Sequence, residues 1–254
     1  MKILRFTTEM SVKYGVQEGD LIRESEGSPY NPTELRLSSR RHRISDIKIL
    51  APATPSKVVA VGLNYFGHAE ELKMTIPDVP LLFLKPSTSL IGPGDDIVYP
   101  DSSERVDYEA ELGVVIKARA YRVPEAKALD YVLGYTCLND VTARDLQKKD
   151  GQWTRAKGFD TFCAIGPHIE TELDPTNVPV EAYLNGELKQ QSNTSDLIFA
   201  VPKLINFISN VMTLLPGDVI ATGTPSGIGP MNPGDTIEIK LGGIGTLRNH
   251  VVKM

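Results

Sequence analysis

From Val58 onward the apolar positions fall into short runs closed by turn residues. VVAVGLNY, LLFLKP, IVYP, YEAELGVVI, YVLGYTCLN, VPVEAYLNG, DVIATGT, DTIEIKL and TLRNHVV read as strands bounded by Gly, Pro, Asn and Asp. The tripeptide Pro-Gly-Asp occurs at Pro93, Pro216 and Pro233, each time just ahead of a predicted strand, with glycine free to take positive φ. Unequal intervals make it recurring turn chemistry, not a repeat. Helical spacing is rarer. Leu204, Ile205, Ile208, Val211 and Met212 recur on one face and, with Pro202 near the start, predict a helix over 201–214. Residues 123–132, opened by Pro124, and the polar stretch 142–149 predict two shorter ones. Many strands, few helices and no regular β-α alternation point to a mostly β (α+β) chain and away from a doubly wound sheet.

The first fifty residues form a separate pattern. Residues 1–6 and 13–16 read as short strands, and the stretch from there to Ile47 is polar, interrupted by Gly27, Pro29 and Pro32. Two prolines in ILAPATPSK, residues 49–57, predict an extended connector. The expected division is a small N-terminal domain over 1–52 and a catalytic domain over 57–254. The basic run RLSSRRHR, residues 36–43, reads as a solvated loop or subunit contact, not as a nucleic-acid patch.

Composition changes little. The chain has 254 residues, 41% hydrophobic and 23% charged, with a formal net charge of −5, ordinary for a globular protein with a sizeable core. Nothing in that balance suggests nucleic acid. Cys137 and Cys163 are too few for a disulfide framework and read as buried thiols. MKILRFTTEM has no signal-peptide pattern and no run approaches a spanning helix, so no membrane role and a cytoplasmic location are expected.

The chemistry concentrates in acidic positions. On a strand, Glu109 and Glu111 project from one face, roughly 6.5–7 Å apart at Cα, where two like charges need something positive between them. Asp140 ends an apolar run ahead of a polar helix and is the best third ligand. Three carboxylates without His or Cys favour a hard cation, magnesium or manganese. Taken singly, the E-x-E pair is also consistent with a solvated strand face and Asp140 with a helix N-cap. His68 and Glu71 stand three apart in NYFGHAEELK, a spacing that lets a carboxylate orient an imidazole base. Lys85 and Lys157 could each counter the acidic cluster or a substrate carboxylate. The loop Thr222-Gly223-Thr224-Pro225-Ser226-Gly227 follows a strand and fits either a tight turn or backbone contacts to a small anion.

Together these segments resemble the fumarylacetoacetate hydrolase family. GLNYFGHAEELK, PLLFLKPSTSLIGPGDDIVYP, VDYEAELGVVI, GYTCLNDVTARDLQ, RAKGFDTFCAIGP and GDVIATGTPSGIGP run in the family's order. The resemblance implies a mixed β-roll, barrel-like catalytic domain behind a small N-terminal domain, assembled as a homodimer. It implies Glu109, Glu111 and Asp140 as ligands of Mg2+ or Mn2+, Lys157 as the enolate-stabilising lysine, and Thr224 of T-G-T-P as a substrate contact. Gly223 beside it is expected to contribute to the same contact; Arg144 or Lys85, as a basic residue able to hold a second substrate carboxylate, would point to an isomerase or decarboxylase of a diacid. His68 and Glu71 match the H-x-x-E pair of a lid that activates water. The expected activity is hydrolysis of a C–C bond in an acylpyruvate-type 2-oxo acid through an enolate stabilised by the cation. The alternative is an isomerase, tautomerase or decarboxylase of 2-oxo or 2-hydroxy-dienoic diacids. A third reading is a non-catalytic ligand-binding member of the fold.

Overall fold

The three Pro-Gly-Asp turns are built alike. Gly94, Gly217 and Gly234 have φ of 75°, 89° and 100°. In each turn the aspartate carboxylate accepts the backbone N–H three residues earlier: Gly92 to Asp95 at 2.9 Å, Leu215 to Asp218 at 2.9 Å and Asn232 to Asp235 at 2.7 Å. A strand starts directly after each. The tripeptide therefore launches strands, as its chemistry predicts.

The computed structural model describes residues 1–8, 11–31, 34–71 and 75–253. Pro32, expected to interrupt the N-terminal stretch, and Leu72 and Lys73 of the predicted lid segment lie outside them. The N-terminal strands are β1 (Lys2–Thr7), β2 (Val12–Glu18), β3 (Leu21–Glu26), β4 (Arg36–Arg43) and β5 (Lys48–Leu50). There follow β6 (Val58–Gly62), α1 (Phe66–Glu71), β7 (Leu81–Lys85), β8 (Leu90–Ile91), β9 (Asp96–Tyr99), β10 (Val106–Tyr108) and β11 (Ala110–Ile116). The middle of the chain forms β12 (Val132–Asp140), β13 (Thr142–Ala143), α2 (Arg144–Asp150), α3 (Thr154–Lys157) and β14 (Cys163–Glu170). The last elements are β15 (Pro179–Leu184), β16 (Glu187–Asn193), α4 (Val201–Val211), β17 (Val219–Ala221), β18 (Gly229–Met231), β19 (Thr236–Leu241) and β20 (Gly245–Lys253). The chain is mostly β, as the pattern of short apolar runs predicts.

A twelve-stranded sheet runs β4-β3-β2-β1-β14-β12-β11-β17-β6-β7, with β5 on β1 and β8 on β14. A five-stranded sheet, β16-β15-β19-β20-β9, and a small one, β13-β10-β18, complete the fold. Strand β11 is buried on both faces. Its Leu112 and Val114 join Val180, Ile237, Ile239 and Leu247 in the core between the two large sheets. Its Val115 packs with Leu138, Ile165, Val219 and Ile3 on the other side. Alternation along one strand thus feeds two cores, which is why the sequence there reads as a continuous apolar run.

Several expectations are corrected. The polar stretch before Ile47 contains β3 and β4, and the basic run at 36–43 is strand β4, not a loop. β4 ends the sheet and is exposed along most of its length, so it buries little and tolerates charge; apolar periodicity cannot reveal it. β1 pairs with β14, so the large sheet continues across the proline-rich connector, whose Ala51 and Ala53 are buried. The helix expected over 123–132 is a 3-10 segment, Glu125–Tyr131, that leads into β12. The helix expected from Thr142 begins at Arg144, because Thr142 and Ala143 pair with β10. The helix expected over 201–214 ends at Val211, and Leu214 pairs instead with Ala120.

Candidate active site

Register brings the acidic residues together. In the antiparallel β11–β12 pair Glu111 stands opposite Leu138, so Asp140, two residues further, projects from the same face. The Asp140 N–H donates to the Glu109 carbonyl at 3.0 Å. The single strand expected through Glu109 is interrupted there: β10 pairs with β13 and β18, whereas β11 pairs with β12 and β17. Glu109 is the corner between two sheets, and its N–H is held by Asn139 Oδ1 at 2.9 Å. One oxygen from each of Glu109, Glu111 and Asp140 lies within 4.8 Å of the others, and all three residues are buried.

Cations stand against two of the three. Lys157, delivered by the single turn α3, places Nζ 2.8 Å from Glu109 Oε2 and 2.7 Å from Asp140 Oδ2. The Lys157 ammonium also sits 5.0 Å from the centre of the Phe83 ring. Lys85 is fully buried, with Nζ 2.5 Å from Asp140 Oδ1, 3.3 Å from the Val141 carbonyl and 2.5 Å from the Lys157 carbonyl. Arg144 donates through Nη2 to Glu109 Oε1 and through Nε to Asp107 Oδ2 at 2.9 Å. Glu111 differs. Its carboxylate takes one hydrogen bond, from the Gly223 N–H at 2.8 Å, and no cation touches it among the described residues.

The titration behaviour follows. Burial alone would raise Glu109, but the charges of Lys157 and Arg144 overcome it and hold the carboxyl well below its usual range. Glu111 is pushed well above that range by burial, then by the charges of Asp140 and Glu109. Burial disfavours the Lys157 ammonium, yet Asp140 and Glu109 keep its pKa raised. The set suits a hard divalent cation on three grounds. The donors are carboxylate oxygens only. Ligand oxygens around magnesium at ~2.1 Å lie about 3–4.2 Å apart, close to the present spacing. Glu111 is a buried carboxyl with no positive partner, and Glu109 Oε2, Glu111 Oε2 and both Asp140 oxygens each accept one donor and keep a second lone pair.

The triad opens into a small cleft of about 80 Å³. His68, Arg144, Gln147, Lys157 and Thr224 line it beside the three carboxylates, with Phe83 and Trp153 as an aromatic wall. His68 Nδ1 lies 3.0 Å from Glu71 Oε2, and Glu71 Oε1 accepts the Gly227 N–H at 3.1 Å. Helix α1 is therefore tied to the Thr224 loop. Two expected substrate contacts are placed elsewhere. Lys85 sits behind Asp140 with its donors spent on protein acceptors, and Gly223 spends its N–H on Glu111. Gly223 has φ of 100°, and a Cβ there would fall 2.8 Å from Asn64 Cβ, so this position needs glycine.

Sequence reasoning missed Asp107, Gln147, Trp153 and Gln190. Asp107 has a legible signal: it shares the two-residue period of Glu109 and Glu111. It forms a buried pair with Arg144, reinforced by Arg105 at 2.8 Å. Gln147, one turn after Arg144, accepts from Arg144 Nη1 at 2.7 Å.

Residues 57–252 match the family described as fumarylacetoacetate (FAA) hydrolase C-terminal, and residues 1–52 match one described as Rv2993c-like, N-terminal. A solved structure named 5-carboxymethyl-2-hydroxymuconate delta-isomerase, from Mycobacterium smegmatis, is 44% identical with a TM-score of 0.94, over the whole of both chains. The mitochondrial oxaloacetate tautomerase fahd2 of Xenopus laevis is 41% identical over 231 residues, 85% of this chain and 72% of that protein. A maleylpyruvate hydrolase structure from Sphingobium sp. SYK-6 is 31% identical with a TM-score of 0.83, again over the whole of both chains. With the fold, the acidic triad and these likenesses in agreement, the chain belongs to the fumarylacetoacetate hydrolase family of enzymes.

Proposed function

We propose that the cleft moves a proton at C3 of a small 2-oxo diacid, interconverting its keto and enol or dienol forms. The observation that carries this reading is His68, which lines the cleft beside the triad with Glu71 on its Nδ1. A carboxylate at Nδ1 favours the tautomer protonated there and leaves the Nε2 lone pair as a base. Of the relatives above, the isomerase and the tautomerase are more similar to this chain than the hydrolase, which favours isomerisation.

Glu109, Glu111 and Asp140 would hold magnesium or manganese, which when bound supplies Lewis acidity to the 2-oxo and carboxylate oxygens of the substrate. His68 takes the C3 proton and delivers it to the 2-oxygen of the enol or to the far carbon of the dienol, and the reverse transfer regenerates the starting form. Lys157, kept charged by Glu109 and Asp140, stabilises negative charge that develops on the oxygen. Arg144 and Thr224 offer donors to a carboxylate from the cleft wall. Phe83 and Trp153, packed edge to face with ring centres 5.2 Å apart, limit water on one side. The same reading carries a homodimer as the assembly.

A second reading is C–C hydrolysis of an acylpyruvate, with His68 activating water. It is favoured by the Glu71 side chain, which is 33% exposed and gives the pair an opening to solvent. The test follows oxaloacetate keto–enol exchange and dienol diacid isomerisation against acetylpyruvate cleavage, with added magnesium or manganese. Isomerisation should dominate and fall roughly 10²–10⁴-fold in His68→Ala. Faster cleavage would establish the second reading, and a fully active His68→Ala enzyme would remove the base from both.

A further inference from the structure

Gln190 is anomalous on its strand. β16 is an edge strand whose Glu187, Leu188 and Gln191 are exposed, yet Gln190 is only 1% exposed. Its amide reaches across to the catalytic machinery. Gln190 Oε1 accepts the Ala110 N–H at 2.9 Å, between Glu109 and Glu111. Gln190 Nε2 donates to the Pro225 carbonyl at 2.8 Å and to Thr224 Oγ1 at 2.9 Å.

These contacts fix the amide's orientation. A backbone N–H can only donate and a carbonyl can only accept, so the oxygen must face Ala110 and the nitrogen must face Pro225. Both Nε2 hydrogens are then spent, and Thr224 Oγ1 is obliged to accept one of them. A hydroxyl that accepts still has one proton to give. No described residue accepts it, and Thr224 lines the cleft.

From this we infer that Gln190 is a positioning residue, which turns the Thr224 hydroxyl proton into the cleft and makes Thr224 a fixed donor to a carboxylate or keto oxygen of the ligand. This inference rests on the 2-oxo acid reading and deepens it. A fixed donor selects ligands that present an oxygen lone pair there and disfavours those that present a hydroxyl or ammonium proton. One buried amide thus links the strand of the acidic triad to the loop that meets substrate.

Gln190→Glu inverts the device without changing its size. One carboxylate oxygen can still accept from Ala110, but the other faces Thr224 Oγ1 as an acceptor and draws the hydroxyl proton out of the cleft. The probe is oxalate, an unreactive 2-oxo acid mimic, titrated calorimetrically in the presence of Mn2+, with Mn2+ affinity measured separately. Gln190→Glu and Thr224→Val should each weaken oxalate roughly 10–100-fold, as expected for a lost hydrogen bond to a charged group. Mn2+ affinity should stay within about twofold, and the double variant should bind oxalate no more weakly than Thr224→Val. Should Gln190→Glu not fold, Gln190→Met replaces it, removing the donor without adding an acceptor. It should weaken oxalate when Thr224 is present and have no further effect when Val stands there.

Additive effects, unchanged oxalate binding, or a parallel loss of Mn2+ affinity would each overturn the inference; the last would assign Gln190 to holding the triad strand instead. In those cases the parent still binds oxalate and the proposed function stands. A parent that binds Mn2+ but no oxalate would overturn both.

Discussion

Replacing Glu111 by Gln should stabilise the metal-free protein and abolish its response to divalent cations. The Glu111 oxygen lies within 4.8 Å of those of Glu109 and Asp140. At an effective dielectric of ~20, two unit charges at that distance repel by ~3.5 kcal/mol. Two such repulsions act on Glu111, and Lys157, lodged between the other two carboxylates, offsets roughly one of them, leaving about 3 kcal/mol. The metal-free protein relieves part of this by protonation, since Glu111 is raised well above the usual carboxyl range. The folded state then holds a proton that the unfolded state releases, so parent stability falls as pH climbs past ~4.3 and the variant's advantage grows with pH. The glutamine amide oxygen can still accept the Gly223 N–H. A gain of about 1–3 kcal/mol near pH 8, or roughly 3–10 °C in melting temperature, is expected in chelator. Saturating magnesium or manganese at ~100 times its Kd should stabilise the parent by ~2.7 kcal/mol and the variant by almost nothing. A variant that melts below the parent in chelator, or that gains as much from the cation, would refute this account of the triad.

Gly223→Ala forces a Cβ toward Asn64 at φ of 100° and pulls the N–H away from Glu111. It should cost about 1–3 kcal/mol in a urea melt and weaken cation binding. Lys85→Met leaves Asp140 without its inner partner and should cost roughly 3–5 kcal/mol; an unchanged urea midpoint would mean that Asp140 does not depend on it. His168 is lowered to about 4 by burial first and by the Lys2 charge next. The unfolded chain therefore binds the proton first, and stability complete above ~6.5 drains away toward pH ~4, by about 3 kcal/mol in all. Denaturant melts of His168→Gln across that range should show a shallower acid slope, and identical slopes would contradict the assignment.

Legibility in the sequence tracked burial. Most strands feeding the two cores announced themselves as apolar runs, and the Pro-Gly-Asp turns marked where three of them begin; β14 did not, because Gly166-Pro167 breaks up its buried Cys163, Ile165 and Ile169. β4 and β16 were invisible because edge strands bury little; their polarity is what keeps them soluble. Glu109 and Glu111 were legible as a same-face pair, but the sheet change at Glu109 was not, since it depends on which partners β10 and β11 choose. Lys85 illustrates the limit most sharply. A lysine after an apolar strand fits either a counter-charge to the acidic cluster or a substrate contact, and only the fold decides: its charge stands behind Asp140. Gln190 carried no signal, because a glutamine in a polar strand resembles any other until the loop it meets is known.

The pairing pattern inside the cluster gives the site a direction. Asp107 meets Arg105 and Arg144, Glu109 meets Arg144 and Lys157, and Asp140 meets Lys157 and Lys85. Each of these carboxylates has part of its desolvation cost returned by a protein cation. Glu111 has only a backbone N–H, at the point where the cluster meets the cleft. Had stability alone shaped the cluster, a glutamine or an apolar side chain at this position would serve better, since neither carries a charge that burial penalises. The uncompensated carboxyl, which a cation can ionise, instead gives the cleft a preference for a positive ligand, while the compensated ones keep the surrounding oxygens in register. That division explains why removing charge at Glu111 and removing charge at Lys85 should move the metal-free stability in opposite directions. The contrast between those two variants separates a site poised for a cation from a salt-bridge cluster complete in itself.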